Sequence, residues 1–206
     1  MRSSITRRPP REGQTLMELI VAIFVILVGI VGTVTLAIMT LTIARESKHR
    51  VISANLAREG IDVVREIRDS NWLGATPWNA GLAAADDYSA IPEFDPTSLT
   101  PWTLNFGPSV AIFDDLADDM TVVYRDGAFL RQDADYSGPA LPTAYRRIVR
   151  MNPICQSAAD CTGGICSDGF SCTSPVIGIQ VLSSVRWVDH GRSQLVTVEE
   201  RLYDWR

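Results

Sequence analysis

Residues 16–45 read LMELIVAIFVILVGIVGTVTLAIMTLTIAR, and from Leu19 to Ala44 there is no charged side chain in 26 consecutive positions. A bilayer core takes roughly 20 apolar residues at about 1.5 Å of rise each, so this run predicts a membrane-spanning helix. A secretory signal peptide has a shorter apolar region followed by a cleavage site of small residues. Here the run passes straight into charged helix at Arg45, Glu46 and Lys48. One carboxylate, Glu18, sits among the first residues of the run, where an ionised group is costly unless it is paired.

Upstream, residues 1–13 carry Arg2, Arg7, Arg8 and Arg11 against Glu12. This basic leader on the short side favours a cytoplasmic N-terminus. Of 19 Lys+Arg and 24 Asp+Glu in the 206 residues, 15 basic and 23 acidic side chains follow residue 13. An acidic remainder argues against electrostatic binding of nucleic acid by the body of the protein.

Downstream, the helical period continues while the character becomes amphipathic. Ile52, Leu56, Val63, Val64 and Ile67 recur at helical spacing, with Glu59, Asp62, Arg65, Glu66 and Arg68 on the other faces. No proline falls between Pro10 and Pro77, so one helix is expected from about Leu16 to Asp69. Residues 71–109, rich in Pro, Gly, Ala, Asn and Ser, read as a long irregular connection. The pattern then turns β. MTVVYRDGAFLRQ is a hairpin with Asp126-Gly127 at its turn, TAYRRIVRM is a third strand, and VIGIQVLSSVRWV and QLVTVEERLYDW flank the turn DHGR. The expected class is α+β: a long N-terminal helix, half lipid-soluble and half amphipathic, against a C-terminal antiparallel sheet. The segments are a leader over 1–13, a membrane helix over 14–44, its amphipathic half over 45–70, the connection, and a β head over 110–206.

Residues that could carry chemistry are few. His49 and His190 have no neighbouring catalytic motif and read as ordinary exposed residues, and HExxH, P-loop, GxSxG and GxGxxG patterns are missing from the sequence. The expectation is a protein that is not an enzyme and uses no cofactor. Asp114, Asp115, Asp118 and Asp119 could contribute oxygens to calcium, but they lack the spacing and glycine of an EF-hand loop and read better as a solvated acidic loop. Cys155, Cys161, Cys166 and Cys172 are spaced C-x5-C-x4-C-x5-C. Zinc sites usually include a tighter knuckle, so two disulfides in an oxidising compartment are the preferred reading. Three pairings are possible, and spacing does not choose among them.

The segment EGQTLMELIVAIFVI resembles the cleavage and methylation segment of type IV pilins and type II secretion pseudopilins. A basic leader ends in Gly13, and Glu18 follows five positions later inside an apolar helix. ANLAREGIDVVREIRDSNW and the terminal VRWVDHGRSQLVTVEERLYDW further resemble minor pilins of the type IV pilus modification group. The likeness is tight over residues 7–72, moderate over 176–206 and absent between. It implies a prepilin peptidase that cuts between Gly13 and Gln14 and methylates Gln14, although the family most often has phenylalanine or methionine at that position. It also implies the partners: other pilins or pseudopilins, the peptidase and an inner-membrane assembly platform. The alternative is an uncleaved, single-pass extracytoplasmic binding domain. Cleavage would free an amine at Gln14 that can pair with Glu18 of the same or a neighbouring subunit, reducing the cost of holding both charges in an apolar core.

Overall fold

The computed structural model describes residues 12–82, 89–95, 98, 101–107, 113, 120–133, 138–166, 172–189 and 191–204. Helix α1 spans Glu12–Leu73, and the chain divides into two compact units, one ending at Lys48 and one beginning at His49.

In the first unit, large apolar side chains cover the helix on every side. Those from Leu16 to Ile43 are 49 to 67 % exposed, so the unit buries no core of its own. The most apolar 18-residue window has a mean hydropathy of 2.9, long and apolar enough to cross a membrane. Four threonines of this unit are satisfied within the helix. Thr33, Thr35, Thr40 and Thr42 donate their hydroxyls to carbonyls three or four residues back at 2.8 to 3.0 Å. Such back-bonding removes a polar cost that hydrocarbon would otherwise impose.

In the second unit, the rest of α1 lies along an antiparallel sheet, and the class is α+β. The stripe expected from the periodicity faces the sheet: Leu56, Val63 and Val64 are buried and Ile52 and Ile67 half-buried, joined by Ser53, Ala57, Gly60 and Ile61. The helix ends four residues beyond Asp69 in a Schellman arrangement. Thr76 N–H donates to Asn71 O and Ala75 N–H to Trp72 O, with Ala75 at φ +53° in the position usually held by glycine.

Among the described residues the sheet has seven strands: β1 (Ser89–Phe94), β2 (Trp102–Asn105), β3 (Val122–Asp126), β4 (Phe129–Arg131), β5 (Leu141–Cys155), β6 (Val176–Asp189) and β7 (Arg192–Tyr203). β5 is its axis. Along one side it pairs with β3 near its start and with β1 at Val149 and Arg150, and along the other side with β6, which pairs in turn with β7. The expected hairpin forms, but its two turn residues are Gly127 and Ala128, one position later than Asp126-Gly127, because Asp126 pairs with Phe129; Gly127 has φ +61°.

The 71–109 connection is not wholly irregular, because it contributes β1 and β2. β1, SAIPEF, hides its nature by lacking alternation, since Ser89, Ala90, Ile91 and Pro92 are all buried. Its proline also reads as a breaker, yet pairing with β5 ends at Ala90, so Pro92 is not asked to donate to that ladder.

Two apolar clusters fill the helix–sheet interface. One joins Ile61 and Val64 to Val149, Met151, Val181 and Leu202; the other joins Leu56 and Ala57 to Val123, Tyr145, Val185 and Trp187. Arg147 is buried as well. Its guanidinium donates to Gln132 Oε1 at 2.8 Å and to Leu56 O at 3.1 Å, and lies 3.3 Å from the Glu59 carboxylate. One charged side chain thereby ties β5 to α1.

Candidate functional site

Gly13 and Gln14 lie in the first turn of α1 and Glu18 a turn and a half later, exposed beside Leu16, Met17, Leu19 and Ile20. A carboxylate near a helix N-terminus meets the positive end of the helix dipole. Glu18 is the one acidic side chain between Leu16 and Ala44.

The cysteine loop leaves the sheet at Cys155, the last residue of β5, and returns at β6. Its geometry makes a choice the spacing left open: Cys155 is bonded to Cys172 and Cys161 to Cys166, with Cα separations of 5.5 and 5.1 Å. The smaller ring is nested inside the larger, and all four cysteines are bonded. Gly163 and Gly164, at φ +68° and +77°, fold the chain back so that Cys166 can reach Cys161, a path closed to most side chains. Backbone contacts hold the frame. Cys166 N–H donates to Pro153 O, Gln156 N–H to Pro175 O, and Ile154 forms a bridge with Ile165.

Asp160 clasps the two ends of the loop. Its carboxylate accepts from the Ser174 N–H and hydroxyl at 2.7 and 2.6 Å and from the Thr173 hydroxyl at 2.7 Å. Those hydrogen bonds, led by that of the Ser174 hydroxyl, bring its pKa down to about 2. The sequence offered no motif for this clasp; the recognisable signal was the Gly-Gly pair inside a short cysteine ring.

Of the other expected residues, Asp114, Asp115, Asp118, Asp119 and His190 lie outside the described residues. His49 differs from its expected exposure. It is half-buried, with Nδ1 2.7 Å from the Tyr145 hydroxyl, and burial pushes the Tyr145 pKa up. A groove of about 440 Å³ runs between the last turns of α1 and strand β2, lined by Ile67, Asn71, Trp102, Leu104 and Phe106. Among the described residues that line it, Glu66 is the one ionisable side chain. No protein-family model, curated protein or solved structure matches this chain.

Proposed function

We propose that this chain is a minor pilin or pseudopilin, a structural subunit and not an enzyme. In this reading a prepilin peptidase cuts between Gly13 and Gln14 and methylates Gln14. The subunit waits in the inner membrane with its N-terminus in the cytoplasm. It then joins a type IV pilus or type II secretion pseudopilus through the apolar half of α1. Its partners are other pilins or pseudopilins, the peptidase and the assembly platform.

The observation that carries the reading is a single uninterrupted helix, Glu12–Leu73, whose first half is apolar on all faces while its second half forms the spine of an α+β head. A filament subunit needs both parts, an apolar helix for the filament core and a folded head for the displayed surface. The glycine and the glutamate five positions later supply the processing signal that such a subunit requires.

The test is the mass of the N-terminus in cells with and without a prepilin peptidase. A chain beginning at Gln14, carrying one added methyl group and seen only when the peptidase is present, is the expected result. An intact leader in both strains would overturn the proposal and favour the uncleaved tether.

A further inference from the structure

We propose that the cysteine loop is a thiol–disulfide exchange site, in which a small thiol entering at Cys161 converts the Cys155–Cys172, Cys161–Cys166 pairing into Cys155–Cys166, Cys161–Cys172. The two disulfides are not independent staples. The Cys155 and Cys166 sulfurs, which belong to different bonds, lie in contact at 3.3 Å. The sulfurs of Cys155, Cys166 and Cys172 all fall within 4.8 Å of one another. Exchange proceeds by attack of a thiolate on a disulfide sulfur, so its first structural requirement is such a contact.

Access is graded in the order the reaction needs. Cys161 and Cys172 are half-buried at the surface of the loop, whereas Cys155 is 4 % and Cys166 0 % exposed. An external thiolate reaches Cys161 more readily than Cys166. It bonds to the Cys161 sulfur, the Cys161–Cys166 bond breaks, and the electron pair leaves on Cys166. The Cys166 thiolate, already against Cys155, bonds to it and displaces Cys172 as a thiolate. Cys172 then attacks Cys161 in the mixed disulfide and releases the external thiolate. Two disulfides stand at the start and two at the end, and the small thiol is regenerated, so no oxidant or reductant is consumed.

Other bonds can keep the frame of the loop while the disulfides exchange, and the Cys161 sulfur, outside the group of three, moves to Cys172 in the last step. The Cys166–Pro153 and Gln156–Pro175 hydrogen bonds, the Ile154–Ile165 bridge and the Asp160 clasp on Ser174 do not depend on any sulfur–sulfur bond.

The test uses the full chain in detergent micelles and two single variants. Cys161→Ser leaves Cys166 as the lone thiol beside the Cys155–Cys172 bond; Cys166→Ser leaves Cys161 instead. Each is held at mildly alkaline pH over the minutes to hours that uncatalysed rearrangement takes, quenched in acid, unfolded and labelled with a maleimide. Cleavage before Asp160 and Asp168 separates Cys155, the Cys161–Cys166 segment and Cys172 into different peptides.

In Cys161→Ser the label is expected at Cys172 as well as Cys166, with a Cys155–Cys166 cross-link appearing in step. In Cys166→Ser it is expected at Cys161 alone. The second variant is also the folding control, because it keeps the outer disulfide. Label confined to Cys166 in the first variant, or equal migration to Cys172 in both, would overturn the proposal. The result does not depend on whether the chain is processed as a pilin. In the unmodified chain, reduced glutathione below one equivalent is expected to produce the Cys155–Cys166 cross-link with no lasting gain of free thiol.

Discussion

Placing a guanidinium in a protein interior removes its water, and the cost is recovered only if its donors find partners. Arg147, 1 % exposed, finds the Gln132 amide oxygen, the Leu56 carbonyl and the Glu59 carboxylate. Burial lowers its pKa below the usual arginine value. Arg147→Ala would strand Gln132 Oε1, remove the cation beside Glu59 and open a void, and is expected to cost about 2–4 kcal/mol. Urea unfolding of the detergent-solubilised chain, followed by tryptophan fluorescence, measures it. Arg147→Met, which keeps most of the volume, should cost less. The residue was half legible in TAYRRIVRM, where alternation puts Arg147 on the face of Tyr145, Val149 and Met151. What the pattern could not supply was its partners, which come from Leu56 and Glu59, some 90 positions away.

Asp160 makes a prediction about pH. Its folded pKa, about 2, lies below the ordinary 3.8, so the folded loop favours the carboxylate form. The stabilisation is fully present above about pH 4 and is lost as pH falls through 2. Hydrogen exchange at the Ser174 amide is expected to lose protection across that window, with the loop disulfides still intact. Asp160→Asn should lose the pH dependence, because the amide does not titrate. Loss of protection in Asp160→Asn that followed pH as in the parent would assign the transition to another group.

At the scale of elements, the decisive contact is the crossing of α1 over β5 and β6. A Cβ on Gly60 would come within 2.5 Å of Ser183 Oγ and 3.0 Å of Val149 Cγ2, so the helix sits as close as it does because that side chain is missing. Glycine costs a helix about 1 kcal/mol relative to alanine. Gly60→Ala is therefore expected to reverse the ordinary propensity gain and destabilise the head, by about 1–3 kcal/mol through overpacking. An unchanged urea midpoint would mean that Ser183 turns aside without cost.

The helix, the β3–β4 hairpin and the closing strands were legible because each shows a period or a turn signal. β1 and β2 were not. A strand buried on both faces has no alternation to read, and its identity is fixed by pairing with residues about 60 positions later. The nested disulfides were legible as a pair of bonds but not as a connectivity, since that depends on the left-handed turn at Gly163-Gly164 and on the Asp160 clasp.

For the whole molecule, the unresolved cost is the apolar half of α1, which buries nothing in its own unit. On the proposed reading lipid covers it for a subunit at rest and the helices of neighbouring subunits cover it in a filament, and Glu18 would distinguish those two environments. In a bilayer it would lie near the helix end, within reach of the polar boundary; in a filament core it would need a cation, which cleavage before Gln14 would supply. Glu18→Ala raises the hydropathy of the anchor, so membrane insertion and head stability should be unchanged or improved. Incorporation into filaments should fall by at least about tenfold, equivalent to 1.4 kcal/mol, less than what is typical of a broken buried ion pair. Sheared filaments and membrane fractions, quantified from the same cells, measure both. Equal incorporation would show that the carboxylate sets no register, whereas loss from both fractions would place its role in insertion and not in assembly.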